Sequence, residues 1–413
     1  MAQMKPRKVL IHTLVFPPDG VSTAYLYGDI ATALRERGFD VTVLTTTPHY
    51  NRVPSQLVAQ PMRWLVPGFL KVSRFRGIRV LHVPQKKFSS TLLRLFGFVY
   101  WHIVSFITAL TVRGVDVIIS PSPPLTIGLL NVWLGKLKGA KIVYNVQEVY
   151  PDILGKKSGP VYNILSRMEH CIYRNSDAVT TIDNVFRDTI VGRFEEPQRL
   201  HVIPNFVDTD IYRPLDAWPD LDPELFVDNG HLRLLYAGNI GMAQDWETLV
   251  ELALRTKDKA IDYYVIGEGM KREWLSGRIK ELGLSNVRLL PYQPRGLMPQ
   301  IIAFSDLQFI FMESSIAAQG FPSKVYTIMA SGKPLLVCSP QGTPIVNFLE
   351  GVGCAKLICA DKPEDKASEA EAWLTSVSPQ NLREMGRKGL DVIKKGYTKD
   401  IVTDRYARLL QSL

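Results

Sequence analysis

The sequence predicts an α/β protein made of two Rossmann-like domains, each a parallel sheet covered by helices. Three observations carry the prediction. Short runs rich in Val and Ile alternate with segments of helical period, the order that builds parallel sheets. The alternation starts twice, on either side of a stretch at 206–231 that holds Pro214, Pro219, Pro223, several aspartates and Gly230. A chain of 413 residues, 46% hydrophobic and 22% charged, has material for two cores.

In the first half, residues 8–15 read as a strand, 22–37 as a helix closed by Gly38, and 40–46 as the second strand; 115–120, 141–146, 178–182 and 200–203 continue the series. In the second half the strands are 232–237, 262–266, 287–290, 307–312, 334–338 and 355–358, and 363–413 is polar and helix-forming. The implied organisation is a first domain at 1–205, a linker at 206–231, a second domain at 232–395 and a closing helix at 396–413 that packs back on the first domain. Ligands of open parallel sheets bind outside the carboxyl ends of the strands, so an interdomain cleft is the expected site.

The net charge of +9 calls for anionic partners. Arg74, Arg76, Arg79, Lys86, Lys87 and Arg94 precede the most apolar stretch, 95–112, which carries Phe96, Phe98, Tyr100, Trp101 and Phe106. That adjacency points to an anionic membrane surface rather than to nucleic acid, through residues 74–112. A spanning helix, a buried crossover helix and a helix lying on the bilayer surface are the three readings of 95–112, and the number of aromatics beside cations favours the last. Met1 to Lys8 is basic, but the apolar run after it is short and ends in Pro17-Pro18-Asp19-Gly20, so no cleavable leader is expected and the protein is placed in the cytoplasm, peripheral to the inner face of the membrane. Cys171, Cys338, Cys354 and Cys359 lack CxxC pairing and read as buried thiols. The seven histidines show no ligand-like spacing, and no metal site is expected.

The most informative segment is 321–334. Pro322 and Ser323 are helix-starting residues, Gly332 and Pro334 stop the helix, and Lys324 falls in its first turn. A helix starting there would offer free N–H groups and a cation to a diphosphate; an ordinary capped helix with a solvated lysine is the alternative. This segment resembles the donor-site helix of the retaining GT-B glycosyltransferases of family 4. Leu234-Leu235-Tyr236-Ala237-Gly238-Asn239-Ile240-Gly241, Val265-Ile266-Gly267-Glu268-Gly269, 287–292 and Pro17-Pro18-Asp19-Gly20 are similar to other parts of that family in the same order. With Gln244 and Pro322-Ser323-Lys324, the chain looks most like the bacterial branch acting on N-acetylated aminosugars in O-antigen, capsule and colanic-acid assembly.

The resemblance implies a UDP-sugar donor, retention of configuration, a polyprenyl-linked saccharide acceptor, and no metal or other cofactor. It implies donor contacts from Gly20, Gly238, Asn239, Gln244, Gly267, Gly269, Pro322, Ser323, Lys324 and Thr327. Tyr292 and Gln293 end a strand where they would meet the nucleobase, although Tyr292 reads equally as core. The sequence departs from the family where an acidic residue is usual, at Gln319 and Thr327, and where an arginine and a lysine are usual, at Asn239 and Gln244. The burden of diphosphate binding then shifts to Lys324, the helix start and the backbone at Gly20. In place of a histidine near the transferred sugar stands Asn145-Val146-Gln147-Glu148; Glu148 is the catalytic candidate beside Lys324, with a helix-capping or surface-pairing role as its alternative. Asp19 and Asp152 are candidates for acceptor hydroxyls. A sugar-nucleotide epimerase and a non-catalytic membrane-bound scaffold are the rival readings.

Overall fold

A computed structural model of the chain describes residues 6–85, 90–152 and 158–413. It divides into two compact units, residues 1–205 with 399–413, and residues 206–398.

In the first unit the order is β1 (Lys8–His12), α1 (Ser22–Glu36), β2 (Asp40–Thr46), α2 (Pro54–Ala59), β3 (Arg63–Val66), β4 (Leu70–Phe75), β5 (Ile78–Val83), α3 (Thr91–Thr111), β6 (Val117–Ser122), α4 (Leu125–Lys138), β7 (Lys141–Val146), α5 (Pro160–Arg174), β8 (Ala178–Thr181), α6 (Asn184–Val191) and β9 (Leu200–Val202). The sheet order is β3-β4-β5-β2-β1-β6-β7-β8-β9. From β5 to β9 neighbouring strands are parallel, whereas β3-β4-β5 is an antiparallel meander at one edge. The meander departs from the all-parallel expectation and rehouses the basic cluster: Arg74 and Arg79 lie on its strands, and Arg76 forms the β4–β5 turn with Gly77. Both turn residues have positive φ, 47° and 81°, as a two-residue hairpin turn requires. Arg76 is ion-paired with Asp29 at 3.2 Å. Lys86 and Lys87 lie outside the described residues.

The second unit runs β10 (Leu232–Ala237), α7 (Trp246–Arg255), β11 (Ile261–Ile266), α8 (Arg272–Glu281), β12 (Val287–Leu290), α9 (Met298–Phe304), β13 (Leu307–Phe311), α10 (Lys324–Ala330), β14 (Leu335–Cys338), α11 (Pro344–Leu349), β15 (Ala355–Ile358), α12 (Pro363–Ser376) and α13 (Pro379–Gly396). Its sheet is parallel throughout, in the order β12-β11-β10-β13-β14-β15. The stretch read as a linker packs into this unit. Leu221 and Phe226 are buried against Tyr264, Ile302 and Phe304, and Val207 pairs with Thr398.

The last helix, α14 (Lys399–Ser412), belongs to the first unit, where it packs on α1. Val402, Tyr406, Ala407 and Leu410 are its buried side. Arg37 reaches Asp404 at 3.8 Å, and Arg7 donates to the carbonyl of Leu410.

The apolar helix α3 is two-sided. Trp101, Ser105, Thr108 and Ala109, spaced at helical period, are buried. Trp101 has no exposed surface and stacks on the His12 ring at 5.3 Å, so it is a core residue and not part of a lipid-facing set. Leu92, Phe96, Val99, Ile103, Ile107 and Leu110 form an exposed stripe along the other side. Trp133 and Leu137 on α4, and Trp64, Leu65, Val66 and Phe69 on the β3–β4 hairpin, are exposed too. Bonds from Tyr100 Oη to the Gly68 carbonyl (3.2 Å) and from Lys138 Nζ to that of Leu110 (3.0 Å) tie both to α3.

Candidate active site

Each sheet reverses its strand order at one strand, β1 in the first unit and β10 in the second, and a crevice opens at the carboxyl end of such a strand. The loops that follow β1 and β10 hold Asp19 and Gly20, and Gly238, Asn239 and Gln244; the other residues singled out from the sequence follow the carboxyl ends of β7, β11, β12 and β13.

In the second unit, Gly238 and Gly267 let two loops touch. Gly267 has φ of 150°, and a Cβ there would lie 1.8 Å from the Gly238 carbonyl oxygen. Gly269 has φ of 155°, and a Cβ there would lie 2.3 Å from the Ile240 carbonyl oxygen. Gly238 N–H donates to the Ile266 carbonyl and Ile240 N–H to that of Glu268, at 2.9 and 2.8 Å. Asn239 is exposed, and its carbonyl accepts from Tyr236 Oη at 2.7 Å. Gln244 accepts from the Gly241 N–H at 3.3 Å, bracing the loop from within.

Lys324 opens α10 and is half-buried. Its Nζ sits 3.6 Å from the centroid of the Tyr236 ring, and a Cβ on Gly238 would come within 2.8 Å of it. Among the described residues no carboxylate pairs with it, and desolvation pushes the ammonium down to about 7. A cation held out of water with only an aromatic face for company is costly unless an anion arrives. Ser323 occupies the N-cap position in helical conformation without a side-chain capping bond, so its backbone, not its hydroxyl, defines the helix start. Thr327 spends its hydroxyl proton on the Lys324 carbonyl at 2.8 Å, leaving only acceptor lone pairs. Pro322 and Gln293 are not buried, and Gln293 donates to the Pro291 carbonyl at 3.1 Å. Tyr292 is 60% exposed, which removes the core-packing reading. The side chain of Gln319 lies outside the described residues.

In the first unit, three readings change. Gly20 N–H donates to the Asn51 carbonyl at 2.8 Å, so it is not free for a phosphate. Asp19 is fully buried and accepts from the backbone N–H groups of His49, Tyr50 and Asn51 at 2.8–3.0 Å. It holds the loop after β2, and its burial keeps it from an acceptor hydroxyl. Asp152 is ion-paired with Arg193, which also reaches the buried Glu169 at 3.1 Å. Its carboxylate belongs to a structural network.

Glu148 follows β7 at the carboxyl end of the sheet. Its carbonyl accepts from Ser122 Oγ at 3.3 Å, its carboxylate has no ion-pair partner among the described residues, and burial raises its pKa above the usual carboxylate range. Beside it lies a network that sequence reading missed. Asn145 Oδ1 accepts from Tyr27 Oη (2.5 Å) and Gln147 Nε2 (2.7 Å), while its Nδ2 donates to Thr180 Oγ1 (2.7 Å) and Tyr406 Oη (2.9 Å). Gln147 in turn accepts from Asn205 at 2.9 Å. The signal available was an asparagine inside a strand otherwise apolar. Sequence reading also passed over two Asp-x-Asp pairs, 208/210 and 220/222. Asp208 and Asp222 accept from backbone N–H groups two residues on, and Asp220 accepts from Gln300. Among the described residues no group of three or more His, Cys, Asp or Glu could hold a metal.

Two Rossmann-like α/β units with these loops define the GT-B fold. The first half matches the glycosyl transferase 4-like domain over residues 23–205, and the second matches glycosyl transferases group 1 over 220–389. The chain belongs to this family of glycosyltransferases. A curated relative, the putative colanic acid biosynthesis glycosyl transferase WcaI of Escherichia coli K12, is 24% identical, with 83% of this chain and 86% of that one covered. Among solved structures, sucrose-phosphate synthase from Thermosynechococcus elongatus superposes with a TM-score of 0.76 at 13% identity, covering 98% of each chain. HepE from Anabaena, solved with UDP and glucose, gives 0.73 at 14% identity, covering 98% of this chain and all of that one.

Proposed function

We propose that this glycosyltransferase moves an N-acetylated aminosugar from a UDP-sugar to a polyprenyl-linked saccharide during cell-surface polysaccharide assembly, with retention of configuration and without a metal. The observation that carries the reading is Lys324, a half-buried cation with no carboxylate partner among the described residues, set over Tyr236 beside the Gly238 loop. A diphosphate is the ligand that relieves it. WcaI is named for colanic acid biosynthesis and HepE was solved with UDP, and both support the choice of pathway and nucleotide.

In this reading the second unit holds the nucleotide at Gly238, Gly267, Gly269 and Lys324, with Tyr292 offered to the base. The short α10 contributes its first N–H groups more than its dipole. The acceptor oxygen attacks the anomeric carbon on the face from which the diphosphate leaves; its proton passes to the departing phosphate oxygen as the C–O bond breaks. Glu148 is the candidate for stabilising the positive charge that develops on the sugar. The exposed stripe of α3 rests on the inner face of the membrane, because a polyprenyl acceptor cannot leave the bilayer.

Incubation with radiolabelled UDP-sugars, a polyprenyl-linked acceptor and EDTA tests this, with the anomeric configuration of the product read by NMR. Label on lipid in the donor's configuration is expected. Inverted product would remove the proposed geometry, altered free sugar nucleotide would indicate epimerisation, and unreacted donor would indicate a scaffold.

A further inference from the structure

The first unit has a cavity of about 490 Å³ at the amino ends of β1 and β2, away from the loops described above. Lys8, Arg35, Arg74, Arg79 and Arg113 line it, with Asp40 as the sole acidic lining residue. Lys8 lies 3.6 Å from Asp40, and Arg35 donates to the Arg76 carbonyl. The other three arginines have no carboxylate partner among the described residues; the Arg74 guanidinium has one long bond, 3.4 Å, to the Gly77 carbonyl.

Two of these arginines are placed against each other. In the antiparallel pairing of β4 with β5, Arg74 stands directly opposite Arg79, and like charges so opposed destabilise a sheet. Residues two apart share a face of a strand. Arg74 therefore shares its face with Val72, and Arg79 with Leu81, both of which pack in the apolar cluster around Trp101 and Ala109 of α3. The arginine pair thus extends the sheet face that α3 covers. The end of α3 closes the cavity through Thr111, Arg113 follows two residues beyond it, and the exposed apolar stripe of the helix ends at Leu110. The stripe from Leu92 to Leu110 is about 27 Å long at the helical rise.

An unbalanced cationic cavity at the end of an exposed apolar helix matches one kind of ligand, an anion attached to an acyl chain. We propose that this cavity binds the phosphate of an anionic phospholipid headgroup between Arg74, Arg79 and Arg113, fixing the rotation of α3 on the bilayer. The inference rests on the membrane placement of α3 and is independent of the transfer chemistry.

Co-sedimentation of the full chain with phosphatidylcholine vesicles, with and without phosphatidylglycerol, tests it at low ionic strength. The wild type should bind both and gain strongly from phosphatidylglycerol. Arg79→Gln with Arg113→Gln should lose about 30-fold of that gain while keeping its binding to neutral vesicles and its melting temperature; the corresponding Lys pair should retain most of the gain. An undiminished gain in the Gln pair would overturn the proposal. So would inorganic phosphate or glycerol phosphate that stabilises the wild type, but not the Gln pair, without any effect of phosphatidylglycerol; the cavity would then be a site for free anions. A wild type that binds neutral vesicles but ignores phosphatidylglycerol overturns the headgroup site and leaves the membrane reading of α3 standing. Binding to neither vesicle overturns both.

Discussion

Lys324 and Glu148 are ionisable groups whose surroundings oppose their charged forms, by desolvation over Tyr236 in one case and by burial after β7 in the other. For Lys324 the free ammonium titrates at about 7, and a bound diphosphate would raise that value. Binding then takes up a proton above pH 7. The Kd for UDP should be flat below about pH 7 and weaken by up to tenfold per pH unit above it, as titration calorimetry across pH would show. Lys324→Ala should abolish that dependence and lower turnover roughly 10²–10³-fold without loss of stability, because the cost of keeping the ammonium out of water is removed with it. For Glu148 the sign is opposite: kcat/KM should fall on acidification, at a pH above the usual carboxylate range, and Glu148→Gln should remove that acid limb. The segments around these two residues were legible in the sequence, and the roles of their side chains are what the pH profiles test. The ties of Asp19 and Asp152 were not legible, because their partners at 49–51 and Arg193 stand roughly 30 and 41 positions away. A carboxylate already satisfied by distant donors looks in sequence like one awaiting a ligand.

The strands of both parallel sheets were readable because they are buried on both faces and leave continuous Val- and Ile-rich runs, as in β6, β11 and β14. The β3–β5 meander was not. All four residues of β3 are exposed, and Arg63, Lys71, Arg74 and Arg79 interrupt the pattern, so an edge structure was read as a basic preface to a membrane segment. In α3, composition gave the apolar character but not which side faces out. Phe96, Val99 and Ile103 are exposed, so replacing all three with Ser should abolish sedimentation with vesicles while the melting temperature holds; replacing Trp101 should unfold the first unit instead. In the donor loops, Gly267→Ala forces a methyl group into the Gly238 carbonyl at a strained φ. A loss of about 3 kcal/mol or more is expected, seen in denaturant unfolding together with loss of UDP binding.

Across the whole molecule, the break after residue 205 was readable from the prolines and aspartates that follow it, but the second unit starts at 206 and not at 232, because 206–231 carries Leu221 and Phe226 into the second core. The ion pairs and polar networks that fix each unit were invisible in sequence, since they join residues far apart in the chain. One of these links joins Asn145 to Tyr406 of α14. Tyr406→Phe removes one bond to a buried amide, which should cost about 1 kcal/mol and lower the melting temperature of the first unit by about 2–4 °C.

The place of α14 also bears on how the protein is made. Synthesis proceeds from the amino end, and domains tend to fold as they emerge. Here the first unit leaves the ribosome with an open groove along α1, and the helix that fills it arrives only after the entire second unit. Until then its apolar lining is a natural target for chaperones, and a recombinant amino-terminal half would carry the same wound permanently.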